Sequence, residues 1–146
     1  MPLGTTTRTN IADYIFNGAT LAGAHTAGGG FWITLHTASP GADGQSGNEV
    51  STSGTGYAPQ AVDAGDWSAA ATSGSDIVVS NSSAIEFGPA EGSGFGTVSH
   101  FGVWSHATSR TAADFLGFNA LTGGSQAVAA PNALRFTAGE LEFTLT

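Results

Sequence analysis

Short apolar runs, broken by glycine and small polar residues, recur along the whole chain. In FWITLHT (31–37), Phe31, Ile33 and Leu35 alternate with Trp32, Thr34 and His36, the period-two pattern of a strand. GTVSHFGVWS (96–105) is the longest strand candidate, with Phe101 and Val103 set against His100, Gly102 and Trp104. The pattern is clearest in the terminal ELEFTLT, where Leu141, Phe143 and Leu145 turn in while Glu140, Glu142 and Thr144 turn out. GYAPQAV (56–62), DWSAAAT (66–72), SDIVVS (75–80), Ala84 to Phe87, ADFLGFNAL (113–121) and ALRF (133–136) supply further strands. Pro59 places the first of these at a sheet edge, because proline lacks the N–H of a ladder. The 96–105 and 113–121 runs read as an antiparallel hairpin. Thr137-Ala138-Gly139 reads as a tight loop whose glycine takes a positive φ.

One stretch has a different period. TTTRTNIADYIFN (5–17) places Ile11, Tyr14 and Ile15 on one helical face, with Thr or Asn as N-cap and Asn17-Gly18 as a stop. A helix this short persists only when packed on something. Residues 18–30 read as a flexible connector, and 31–146 as one body of strands. The expected fold is therefore all-β: a jelly-roll-like antiparallel β-sandwich with one short N-terminal helix, a single domain over 1–146.

Composition agrees with this and narrows function. Glycine is 22 of 146 residues, without a collagen-like period, as in a domain rich in turns. Lysine is absent, the basic residues are Arg8, Arg110 and Arg135, and the net charge is −8. Such a chain has no basic face for nucleic acid and is repelled by acidic membranes. No apolar run approaches the roughly 20 residues of a spanning helix, and MPLGTTTRTN lacks the basic and apolar regions of a secretory signal. With no cysteine, disulfides, thiolate metal sites and cysteine nucleophiles are excluded.

The candidate chemistry is sparse. There is no G-x-S-x-G elbow, and Ser99 beside His100 is not read as a dyad, because neighbours on a strand point to opposite faces. His25, His36, His100 and His106 lack the close spacing of a transition-metal site. Asp43, Asn48 and Glu49 miss the register of a calcium loop. Glu86 and Glu91 flank Gly88-Pro89 without other marks of a sugar cleft, and Asn81-Ser82-Ser83 matches a glycosylation sequon. EGSGFG (91–96) precedes no helix, so it is no phosphate cradle. The expectation is no catalytic residue, no metal ligand and no cofactor. LHTASPGADGQSGNEVS (35–51) reads instead as a long surface loop, a contact arm. Its His36, Pro40, Asp43 and Glu49, together with Trp32 and Trp104, are the candidate partner contacts. The tryptophans have two readings: core filling, or anchors for a partner. Trp32 and Trp104 lie opposite the more aliphatic face of their strands, which implies a second apolar layer or a partner that covers it.

The ordered segments resemble a family of small tailed-phage virion proteins, often labelled tail fibre proteins. The resemblance rests on Leu35-His36-Thr37-Ala38-Ser39-Pro40-Gly41, Asn48-Glu49-Val50-Ser51, Gly56-Tyr57-Ala58 and Ile85-Glu86-Phe87 followed by Pro89. It continues through Phe95-Gly96-Thr97-Val98-Ser99-His100-Phe101-Gly102-Val103, the most specific run. Phe115-Leu116-Gly117-Phe118-Asn119-Ala120-Leu121-Thr122 and Leu134-Arg135-Phe136 complete the series. Phe95 stands where the family pattern has Trp, and the loop after Gly18 is longer. The resemblance implies a β-rich virion component assembled in the host bacterial cytoplasm, and it brings no catalytic residues.

Within a virion, a receptor-binding fibre needs a long stalk or heptads, which this chain lacks. A compact domain suits a capsid decoration (cement) protein that binds the major capsid protein and copies of itself, stabilising the shell by bridging capsid subunits. That is the expected role. The alternatives are a tail or tail-fibre-associated component, with tail proteins as partners, and a carbohydrate-binding module built on exposed tryptophans.

Overall fold

A computed structural model describes residues 3–17 and 31–145. The connector expected over 18–30, with His25, lies outside the described residues. The helix α1 (Thr5–Asn17) is followed by strands β1 (Phe31–His36), β2 (Gln60–Val62), β3 (Ala71–Ser73), β4 (Asp76–Ser80) and β5 (Ile85–Phe87). Then come β6 (Gly96–Val98), β7 (His100–Trp104), β8 (Phe115–Ala120), β9 (Gln126–Val128), β10 (Leu134–Phe136) and β11 (Glu142–Leu145). Among the described residues all pairings are antiparallel, and the fold is a β-sandwich with one short helix.

One layer is the sheet β2–β1–β7–β8. Three smaller pieces complete the fold: β11–β4–β3, the pair β10–β5 and the pair β6–β9. The register brings Ile33 against Val103 and Leu35 against Phe101, so the aliphatic face expected from the alternation is the core face. Across the gap Phe101 meets Phe143 edge-on at 5.0 Å between ring centroids. Within the β10–β5 pair Phe87 meets Phe136 edge-on, and it stacks on Tyr57. These rings belong to one buried cluster with Val50, Val62, Val98, Val128 and Leu141. Removing such side chains from water is the main drive for closing the layers.

Several local expectations are met. Pro59 immediately precedes β2, which is an edge strand. Strands β7 and β8 form the expected hairpin pairing, and Gly139 has φ +86°. Three differ. The 96–105 run is two strands in different sheets, because the chain breaks direction at Ser99, whose N–H bonds to His36 and whose carbonyl accepts from Leu121. Residues 64–66 of the 66–72 run's approach form a 3-10 turn, and strand β3 begins only at Ala71. The strands flanking Gly139 do not pair: β10 takes β5 and β11 takes β4.

Candidate functional site

Sheet β2–β1–β7–β8 has a second face, and the loop that follows β1 folds back over it. Trp32, Thr34 and His36 of β1 stand opposite Trp104, Gly102 and His100 of β7. A bulge between Val103 and Trp104 places Phe115 of β8 opposite Trp104, whereas Leu116 packs on the main core. The extra residue of a bulge changes which side chain faces which way. Here it adds an aromatic ring to the second face. Trp104 and Phe115 are fully buried, 4.7 Å apart, and Phe118 stacks beyond them.

The lid over these rings is the 37–49 segment. It leaves β1 and returns antiparallel to it: Thr37 N–H bonds to Asn48 O, and Val50 N–H to Leu35 O. Gly44 lies directly on the rings. A Cβ there would stand 2.7 Å from both Trp104 and Phe115, and its φ is +74°, so only glycine fits both the approach and the backbone. The N-terminal residues close another side, through Gly4 N–H to Leu116 O and Thr5 N–H to Ala42 O.

Beneath the lid runs a buried polar chain. Trp104 Nε1–H donates to Thr34 Oγ1 at 2.9 Å, and Thr34 Oγ1 lies 2.7 Å from His36 Nε2. His36 Nδ1 lies 2.9 Å from Asn48 Oδ1, and Asn48 Nδ2 donates to Ser39 O. The amide of Asn48 is oriented by that last bond, so its oxygen accepts and His36 carries its proton on Nδ1. Nε2 is then an acceptor for the Thr34 hydroxyl. Burial lowers the pKa of His36, in keeping with this neutral form. Gly102 makes room for the chain, since a Cβ there would lie 2.8 Å from Thr34 Oγ1 and 2.9 Å from His36 Nε2.

At the end of the lid, Glu49 is clasped by Arg110 from the loop between β7 and β8. Arg110 Nε and Nη2 donate to the two carboxylate oxygens, at 2.6 and 3.1 Å, and the guanidinium lies over the Trp104 ring at 4.9 Å. Tyr57 O–H donates to Glu49 at 3.0 Å and accepts from the buried Leu35 N–H. Burial, with Glu49 beside it, pushes the Tyr57 hydroxyl well above the ordinary tyrosine range. Arg110 also donates to the carbonyls of His106, Ala107 and Ser109. That loop is tied inside as well: Ser109 and Thr111 donate to the Asp114 carboxylate, and these bonds, Ser109 foremost, hold its pKa below the usual range. The N–H groups of Thr108 and Ser109 donate to His106 Nδ1.

The candidate contact residues therefore divide. His36, Pro40 and Trp104 are buried within the chain, Glu49 and Trp32 are half-buried, and Asp43 is exposed. The expected arm is a lid with an exposed rim. Trp67 is half-buried against Phe143, so the core-filling reading of the tryptophans holds for Trp67 and Trp104. Sequence reasoning missed Thr34, Tyr57 and Arg110, and weighed Asn48 only as a calcium ligand. The one available signal was charge: three arginines against eleven carboxylates make each cation a candidate for pairing, although its partner lies 61 positions away.

Two chemical expectations change. Ser99 Oγ does reach His100 Nδ1, at 2.8 Å, because the break between β6 and β7 suspends the strand alternation. His100 has its pKa lowered by burial, and no carboxylate bonds its other ring nitrogen among the described residues. Asn81 is 1% exposed. Its side chain donates to Ser83 O and Thr137 O and accepts from Leu141 N–H, so the sequon is a structural tie in the folded chain. Among the described residues no three His, Asp or Glu side chains converge as for a metal ion.

Residues 2–144 match a protein-family model. No curated protein matches the chain. The matched family is one of phage fibre proteins, which agrees with the resemblance seen in the sequence and favours its tail-fibre alternative over capsid decoration. By a match spanning nearly its whole length, the chain belongs to the family of the Podophage GP4 fiber I protein gp80.

Proposed function

We propose that this chain is a non-enzymatic structural component of a phage tail fibre. The family match over residues 2–144 carries the reading. The geometry supports it: His36, Glu49, Arg110 and Asp114 are committed to internal bonds that close loops, leaving them no freedom for acid/base work. The missing stalk is the ground for reading the chain as a capsid cement protein. It does not weigh against a fibre, because a compact module can sit in a fibre whose stalk belongs to other chains. The partners on this reading are other fibre or tail proteins and copies of this chain, met through a polar, acidic surface with wet contacts. The major capsid protein is the partner on the cement reading alone. A glycan platform of Trp32 and Trp104 is not formed, since Trp104 is sealed under the lid.

Cryo-electron microscopy of virions labelled with an antibody to this chain tests the assignment. Label confined to the tail fibres is expected. Label distributed over the head would overturn it in favour of the cement role.

A further inference from the structure

The 37–49 lid is locked from beneath by a histidine that acts as a hydrogen-bond acceptor. His36 accepts from Thr34 with Nε2 while donating to Asn48, the residue where the lid rejoins the sheet. An imidazole nitrogen accepts only while it carries no proton. Histidine is also the side chain that changes charge in the mildly acidic range.

Protonation of His36 would place a cation in a site 2% exposed. The groups that face it are Glu49, Arg110 and His100. Glu49 is already matched by Arg110 and by Tyr57, so among the described residues no free carboxylate answers a new charge. His100 stands directly across on β7, and a second cation there would add repulsion. The Thr34 hydroxyl can still turn its proton to Gly102 O, but over 3.4 Å. The cost of the charge is therefore desolvation, and water is reached most directly by parting Asn48 from His36.

We propose that the 37–49 segment is an acid-releasable lid, locked through the hydrogen bonds of His36 to Thr34 and Asn48, whose opening uncovers the Trp104–Phe115 aromatic layer. The core beneath is held separately by Ile33, Leu35, Phe101 and Phe143, so the lid opens without loss of the sandwich. In linkage terms, a histidine whose folded pKa lies below its unfolded value contributes stability that is full above about pH 6.5. That contribution is lost as pH falls towards the lowered folded pKa.

Hydrogen exchange on the full chain, corrected for the pH dependence of intrinsic rates, tests this between pH 7.5 and 5. The expected result is a tenfold or greater fall in protection at Thr37 and Val50, the backbone ties at the base of the lid, with protection at Val103 retained. Tryptophan fluorescence should shift to the red over the same range. Unchanged protection at Thr37 and Val50 overturns the proposal. So does a parallel loss at Val103, which would mean that the whole fold opens together.

Discussion

Tyr57→Phe isolates one oxygen atom. The ring keeps its stack on Phe87 and its edge contact with Phe95, so no cavity forms. What is lost is the acceptor for Leu35 N–H, in a strand whose Leu35 is 0% exposed, and the donor to Glu49. An orphaned buried N–H costs about 1–3 kcal/mol. The Glu49 bond adds little, because that carboxylate is partly solvated and keeps Arg110. The expected loss is about 2 kcal/mol, which for a chain of this size lowers Tm by about 4–8 °C. Urea unfolding of both proteins at pH 7.5 measures it, with the m-value unchanged. Exchange at the Leu35 amide should quicken more than at its neighbours. A loss below about 0.5 kcal/mol would mean that the Leu35 N–H is satisfied without Tyr57, and would refute the arrangement.

Gly44→Ala combines a strained positive φ with contact against two rings, and is expected to cost about 2–4 kcal/mol. A red shift in tryptophan emission should accompany the lower Tm, and an unaltered Tm would show that the lid does not lie on Trp104. Thr34→Val keeps the shape but strands both Trp104 Nε1–H and His36 Nε2. About 2–4 kcal/mol should go, read by urea unfolding, with the His36 imidazole resonances shifted in NMR. Asn81→Ala removes three ties between β4, the 137–141 turn and residue 83. Thermal melts should show a loss of about 3 kcal/mol, while Ser82→Ala, which breaks the sequon but spares Asn81, should differ by less than about 1 kcal/mol.

The alternation of Phe31 to His36 and of His100 to Trp104 determined which side chains share a face. It did so because the strand repeat is set by backbone geometry alone. Pro59 marked an edge and Gly139 a positive φ for equally local reasons. The class of fold followed, and so did the ordered motifs that resemble phage virion proteins. What local pattern could not decide was how each face is covered. Whether Trp104 meets water or a lid depends on a loop returning through Asn48, and on Arg110 meeting Glu49 across 61 positions of chain. The pairing of β10 with β5 and the break at Ser99 were hidden for the same reason. Strand partners are chosen by the global closure of the layers, which no short window of residues contains. The sequence placed His36 on the less aliphatic face of its strand; only the tertiary structure made it a buried, neutral lock.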